Sequence, residues 1–385
     1  MTKRLYYEDE YMREFDAIVS DCRPKEPGKS WIVTLDQTAF FPEGGGQWPD
    51  LGTLGPVQVL DVHERSGEVE HLVDAPLETG QMVHGRIDWE RRFSVMQQHS
   101  GEHIFSGLVH GRFGYDNVGF HIGSEAVTMD FNGPITEQEA FEIEYQANLV
   151  IYENKPILHF IPDEKTRESL EYRSKKEIDG ELRIVQIPGA DTCACCGTHL
   201  RTTGEIGQIK VTGLQKYKSG VRVSILCGLR ALAYENQLQA EMNRIHRLIS
   251  SSQGNCAEVV EQILDDRRNL QYRNEQMAMA MFDVMAREER QNDVRVVSCT
   301  MLSGDAVAKA AGKLAAGAVL ALVLGGEGEQ VQFALCSEKQ DVRPITRQMC
   351  QKFGAKGGGK TDMTQGRMER KDAETLREWL VSQLA

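Results

Sequence analysis

Met82-Val-His-Gly-Arg-Ile-Asp-Trp-Glu-Arg-Arg-Phe-Ser-Val-Met-Gln-Gln-His-Ser-Gly-Glu-His103 is the stretch on which the reading of this sequence turns. Its first six residues, Met82 to Ile87, read as a strand. From Trp89 the period changes to that of a helix, with Phe93, Met96, His99, His103 and Phe105 leading into Leu108. His99 and His103 are four residues apart, so on a helix their imidazoles leave the same face and can share one ion. A β-rich part thus ends here, and a mixed part begins with two metal-competent side chains.

Upstream, Trp31–Leu35, Val57–Val62 and Val69–Val73 read as further short strands between Gly and Pro turns, and a small β-barrel over residues 1–90 is the expected closure. Downstream, strands at Val127–Phe131, Leu182–Ile187 and Val221–Ile225 and a helix from Thr136 make residues 91–228 an α+β domain. Residues 229–292 hold two helical patterns parted at Gly254. Leu238, Met242, Ile245 and Ile249 mark the first, and Ile263, Leu270, Met277 and Val284 recur every seven residues in the second. An antiparallel, coiled-coil-like hairpin linker is expected, either buried as a spacer or serving self-association. Residues 293–385 read as an α/β domain: strands near Val294, Val319 and Val331, helices from Ala306, Pro344 and Ala373, and a Gly-rich loop. The fold class is α+β and multidomain.

The chain has 385 residues, 41% hydrophobic and 26% charged, as expected of a soluble globular protein. A net charge of −13 argues against a surface that is basic throughout and binds nucleic acid by charge alone, but not against a local basic patch. The first twenty residues lack the apolar core of a signal peptide and no apolar run reaches membrane length, so a cytoplasmic chain is expected. Nine cysteines, three of them at Cys193, Cys195 and Cys196, suit metal or redox chemistry better than a disulfide framework.

In Cys193-Ala-Cys-Cys-Gly-Thr-His199, Cys195 and His199 repeat the four-residue spacing. The two pairs together make a three-His, one-Cys set suited to Zn²⁺ rather than to calcium or magnesium. Spacing alone leaves Cys193 and Cys196 as competitors for Cys195. Two other motifs weigh less. His99-Ser-Gly-Glu-His103 matches the H-x-x-E-H pattern of zinc peptidases, with Glu102 as base, but no third carboxylate ligand stands out. Gly354-Ala-Lys-Gly-Gly-Gly-Lys-Thr361 matches a P-loop in letters, yet it follows a helical pattern and leaves only 24 residues for the rest of a nucleotide site. In Thr38-Ala-Phe-Phe-Pro-Glu-Gly-Gly-Gly-Gln-Trp-Pro-Asp50, three glycines let backbone approach a partner closely, and Thr38 and Gln47 offer neutral hydrogen bonds.

The string Thr38–Asp50, the His99/His103 pair, the Cys195/His199 pair and the tail Gly354–Gly366 occur in the order found in the alanyl-tRNA editing proteins (the AlaX family) and in the editing half of alanyl-tRNA synthetase. The chain resembles the long form of that family over nearly its whole length, without the aminoacylation domain of the synthetase. The resemblance implies a trans-acting deacylase for alanine tRNA that wrongly carries serine, or glycine, with Zn²⁺ held by His99, His103, Cys195 and His199. Family members usually read Cys-Gly-Gly-Thr-His at the second pair; here a second thiol, Cys196, stands beside the ligand. Thr38 is the candidate for sensing the serine hydroxyl, with Gln47 second. Zinc could orient the ester or acidify a water, although four protein ligands would fill a tetrahedral site. Glu102 is the candidate base, its alternative being a solvated carboxylate. His121 reads as packed or substrate-lining and not as a ligand. A zinc-stabilised tRNA-binding protein without hydrolytic activity is the alternative.

Arg343 to Lys371 carries eight Lys/Arg against two acids. Lys352, Lys356, Gly357, Gly358, Gly359, Lys360 and Arg367 are its candidate phosphate contacts, ammonium groups beside exposed backbone N–H groups. The resemblance implies docking of tRNA there, together with homodimer formation through the linker and this domain.

Overall fold

The strand-to-helix switch falls where the period changes, in a computed structural model that describes residues 1–26, 28–174, 182–252 and 254–384. The chain divides into two units, Met1–Met242 and Asn243–Ala385.

In the first unit six strands, β1 (Glu14–Glu26), β2 (Ser30–Leu35), β3 (Gly52–Leu54), β4 (Val57–Arg65), β5 (Glu68–Val73) and β6 (Met82–Ile87), hydrogen-bond in a closed ring of order β1-β2-β5-β4-β3-β6. β1 went unread in the sequence because only Phe15, Ala17 and Val19 of its thirteen residues are buried and its second half, through Pro24, is largely charged and exposed. Alternating residues such as Val59, Val69, Val73 and Val83 fill the ring. Among them is a histidine, His71, fully enclosed: its Nδ1 lies 3.1 Å from the Val33 carbonyl and its Nε2 2.9 Å from Thr38 Oγ1. Nδ1–H donates to the carbonyl, so Nε2 accepts from the threonine.

Burial lowers the His71 pKa from 6.5 to about 4. Between those values the unfolded chain takes up a proton that the folded chain refuses, so stability is intact above pH 6.5 and falls as the pH drops toward 4, by about 3 kcal/mol in all. Denaturant unfolding of wild type and His71→Leu between pH 7 and 4.5 should therefore give a steeper pH slope for wild type. Equal slopes would contradict the buried neutral imidazole.

Helix α1 (Trp89–Phe113) starts at Asp88, whose carboxylate accepts the Arg91 N–H at 3.1 Å, and ends at Gly114 in the left-handed region. Its middle, Gln97 through His103, is buried although five of the seven side chains are polar or ionisable beyond a lone hydroxyl. Gln98 explains part of this: its amide pairs with both backbone groups of Cys227, at 2.8 and 3.0 Å. Around α1 pack a four-stranded sheet, β7 (Asn117–Ile122), β8 (Val127–Phe131), β12 (Ile209–Tyr217) and β13 (Gly220–Cys227) in the order β12-β13-β8-β7, and helix α2 (Glu137–Tyr152). A three-stranded sheet, β9 (Leu158–Phe160), β10 (Ile184–Ile187) and β11 (Asp191–Ala194), carries the cysteine segment. Gly107 lets α1 approach it closely; a Cβ there would lie 2.2 Å from the Ala190 carbonyl oxygen.

Helix α3 (Gly228–Ile249) and helix α4 (Cys256–Met285) cover the two helical patterns of the linker. Leu238, Met242, Ile245, Ile263, Leu270, Met277 and Val284 are all exposed. In the second unit β14 (Val294–Cys299), β15 (Leu320–Gly325), β16 (Gln330–Cys336), β17 (Lys356–Gly359) and β18 (Met363–Glu369) form a sheet of order β14-β15-β16-β18-β17, with α5 (Asp305–Ala315), α6 (Arg343–Phe353) and α7 (Ala373–Ser382). The expected Gly-rich loop is instead the edge strand β17, because Gly357 to Gly359 pair with Gly366 to Thr364. A P-loop would leave a strand and open a helix; this segment does neither. Among the described residues no helix is long and apolar enough to cross a membrane.

Candidate metal centre

Four side chains meet where α1 faces the end of β11. The ligand-type atoms of His99, His103, Cys195 and His199 lie within 4.8 Å of one another. Cys195 Sγ is 3.4 Å from Nε2 of both His99 and His199, and the three imidazole centroids are 4.3 to 5.2 Å apart. The helix supplies the first pair by its 3.6-residue period; the second pair sits on irregular chain just past β11, where Gly197 permits the approach. A Cβ on Gly197 would lie 2.2 Å from His99 Cε1 and 2.7 Å from Gln47 Oε1.

Each imidazole is held from behind by its Nδ1. Gln47 Oε1 accepts from His99 at 2.8 Å and from the Thr198 N–H at 3.1 Å, while Gln47 Nε2 donates to Thr198 Oγ1 at 2.8 Å. Asp191 Oδ2 lies 2.8 Å from His103 Nδ1 and is itself gripped by Arg173 at 2.8 and 2.9 Å. Ser100 Oγ stands 3.4 Å from His199 Nδ1. Such partners orient the rings and turn their Nε2 atoms toward the Cys195 thiol, where an ion would take the place of the protons. His103 Nε2 is buried and, among the described residues, makes no hydrogen bond of good geometry, a need that a shared cation would satisfy.

The charges agree. Burial opposes ionisation of Cys195, but the imidazoles of His99 and His199 outweigh it and hold the thiol well below its ordinary range. Burial likewise opposes a charge on His103, yet the Asp191 carboxylate prevails and lifts it to about 9. Burial, and His99 beside it, depress His199. A thiolate among imidazoles in a water-poor pocket is a soft, borderline donor set that could hold one metal ion.

The three cysteines are thereby told apart. Cys193 alternates along β11 onto the Asp191 side of His103, and burial pushes its thiol up. Cys196 is exposed and lines a cavity of about 520 Å³ whose wall also includes His99, His103 and Cys195.

Other expected site residues lie elsewhere. Thr38 does not line this cavity: it points into the ring, its hydroxyl occupied by His71 and by the Phe40 N–H at 3.1 Å. Gln47 acts on His99 rather than facing the cavity. Glu102 is neither solvated nor at the cavity wall; its Oε1 accepts from Ser106 at 2.6 Å and Asn117 at 2.7 Å, tying α1 to β7. His121 is exposed on β7 rather than packed, and does not line the cavity. Lys352, Lys356, Gly357, Gly358, Gly359, Lys360 and Arg367 are all exposed in the second unit.

Five supporting residues went unread. Asp191 and Arg173 were hidden because nothing marks a distant strand residue as a histidine's partner, although Asp191 shares the alternation of Cys193. Glu10 joins His159 at 3.0 Å to Arg183, whose Nη1 reaches the carbonyls of Cys195 at 3.1 Å and Gly197 at 2.9 Å.

Residues 182–224, which include Cys195 and His199 of the cluster, match the family model described as the threonyl and alanyl tRNA synthetase second additional domain. Similarity extends well beyond that segment. An alanyl-tRNA editing protein, AlaX-L, of Pyrococcus horikoshii is 28% identical over 97% of this chain and 96% of its own length. The alanyl-tRNA editing protein Aarsd1 of Danio rerio is 31% identical over 69% of this chain and 68% of its own. An alanine–tRNA ligase of Ignicoccus hospitalis is 29% identical over 93% of this chain, which spans 40% of that ligase. The chain belongs to the alanyl-tRNA editing protein family.

Proposed function

We propose that this chain hydrolyses the ester bond of mischarged alanine tRNA in trans, removing serine and, as a second substrate, glycine, with Zn²⁺ held by His99, His103, Cys195 and His199. The observation that carries the reading is the convergence of three Nε2 atoms and one thiolate at the wall of a 520 Å³ cavity, in a chain of this family. The need is physical. An alanine pocket cannot strongly reject an isostere that only adds a hydroxyl, so serine must be removed afterwards. Bound zinc would supply Lewis acidity toward the ester carbonyl or a water. The protein's share is to hold the donors: Gln47, Asp191 and Ser100 fix the three rings, and Arg183 holds the carbonyls of the cysteine loop. Glu102 is not the proposed base, since its Oε1 is held by Ser106 and Asn117 and it does not line the cavity.

The four-ligand set also favours a second reading, a closed structural zinc in a tRNA-binding protein without hydrolysis. Deacylation of alanine tRNA charged with serine, glycine or alanine, with and without chelator, separates the two.

The second unit is the proposed tRNA grip. Lys356 and Arg367 stand directly opposite on neighbouring strands, a like-charge pair that a bridging phosphate would relieve. Lys352 and Lys360 extend the basic face, and the glycines of β17 leave it free of other side chains. Replacing Lys356, Lys360 and Arg367 together by glutamine should weaken tRNA binding roughly tenfold and lower the slope of log affinity against log salt by about 2. An unchanged slope in a filter-binding titration would contradict the grip. The exposed heptad Ile263, Leu270, Met277 and Val284 is proposed to seat a second copy of the chain. Sedimentation should then give twice the monomer mass for wild type and the monomer for Leu270→Glu/Met277→Glu; a monomeric wild type would refute it.

A further inference from the structure

Two arginines beside the Gly-rich segment carry charge that no carboxylate answers. Arg91, in the first turn of α1, and Arg230, at the start of α3, both stand over the half-buried Trp48 ring, their guanidinium carbons 5.0 and 5.9 Å from its centroid. Their donors go to neutral groups: Arg91 Nε to the Pro49 carbonyl at 3.1 Å, and Arg230 Nη2 to the Gly123 and Ser124 carbonyls at 2.8 Å each. Among the described residues neither guanidinium pairs with a carboxylate; Asp88 accepts the backbone N–H of Arg91, not its side chain. Both places disfavour a cation. Arg91 sits at the positive end of a 25-residue helix, and burial lowers the pKa of Arg230. An anion between or beside the two would relieve both.

The pair stands next to the cavity that holds the cluster. Gly44 to Gly46 and Phe120 are in the cavity wall. Gly46 meets β7 so closely that a Cβ on it would lie 2.6 Å from the Phe120 carbonyl oxygen, and the Gly46 carbonyl accepts the Ile122 N–H at 3.1 Å. Ile122 precedes Gly123, which Arg230 grips, and Trp48 follows Gly46 by two residues. An RNA whose charged 3′ end enters the cavity brings phosphodiester groups past this rim, each with one negative charge.

We propose that Arg91 and Arg230, held on Trp48, bind phosphodiester groups of the single-stranded RNA that leads into the cavity. This rests on the deacylase reading above and deepens it. A guanidinium on a phosphate reads no base edge, so the contact positions the strand without selecting its sequence. It belongs to the same unit as the His/Cys cluster and should therefore show in substrates of only a few nucleotides.

The test uses the full chain and two small substrates, the seryl esters of adenosine and of a trinucleotide ending in adenosine, with seryl-alanine tRNA alongside. Wild type should cleave the trinucleotide ester with kcat/KM about tenfold above that for the adenosine ester, a preference carried by the phosphodiesters, and Arg91→Gln/Arg230→Gln should bring the ratio close to one. Each ratio is internal to one protein, so a partial loss of folded chain cancels. Equal wild-type rates on the two small esters, with seryl-tRNA still cleaved, overturn the contact and leave the deacylase reading standing. A preference that survives in the variant overturns it too, because the arginines then only fasten the Gly-rich segment and the β7–β8 turn. If wild type cleaves none of the three esters, the deacylase reading falls and the contact with it.

Discussion

His103→Ala should abolish metal retention and reduce seryl-tRNA hydrolysis on the order of 10³-fold. Loss of a supporting partner alone typically costs 10–100-fold in affinity or activity, and here a donor goes with its support. The imidazole is enclosed, its Nε2 faces the Cys195 thiol and the other two rings, and Nδ1 is held by an Asp191 already gripped by Arg173. Alanine leaves that carboxylate buried against Arg173 alone and removes one corner of the cluster. Cys195→Ser, nearly isosteric, keeps the packing and loses the soft donor, so it should show the same deficit while unfolding as wild type does. Metal content by atomic absorption and single-turnover deacylation check both variants; full stoichiometry and rate in either would remove that residue from the ligand set.

The largest expected effect on stability is at Arg92. It is 0% exposed and reaches both oxygens of Asp50, the Glu10 carbonyl at 2.9 Å and the Ala39 carbonyl at 2.6 Å. Asp50 also accepts the Phe41 N–H at 2.6 Å. The side chain thus fastens the first turn of α1 to both ends of the Gly-rich segment that carries Gln47. Arg92→Leu strands a carboxylate in the interior and should cost about 3–5 kcal/mol in the unfolding of the first unit. Asp50→Asn added to it should restore part of that loss, because the unpaired charge is gone. A loss within about 1 kcal/mol for Arg92→Leu would mean that the pair is hydrated and contributes little.

What the sequence disclosed divides along physical lines. The change of period between Ile87 and Trp89 is local, so the strand-to-helix joint and the His99/His103 pair were legible from spacing. The companion pair was legible as letters, but the choice among Cys193, Cys195 and Cys196 was not, because it depends on β11 ending just before Cys195 and on Gly197 admitting the His99 ring. Thr38 illustrates a problem of range: it lies on a two-residue strand outside the ring, and its hydroxyl is claimed by His71, a partner distant in sequence that spacing does not mark. Glu102 reads as a base or a solvated carboxylate because a helix face is judged by its own period, whereas α1 is enclosed on nearly all sides through this stretch. Gly357 to Gly359 have no intrinsic strand preference; pairing with Thr364 to Gly366 makes them one.

The charge along the chain takes on a direction. Residues 293–385 hold 13 Lys/Arg against 11 acids, while residues 1–292 hold 31 against 46. Affinity for a polyanion would come from the basic face of the second unit, and discrimination from the acidic first unit that holds the His/Cys cluster.

The most direct test is the rate at which the metal-loaded chain deacylates alanine tRNA carrying serine against the same tRNA carrying alanine. Serine should be released at least tenfold faster, and chelation should remove that activity. Equal release of both amino acids, or seryl-tRNA left intact while tRNA is still bound, would contradict an editing hydrolase.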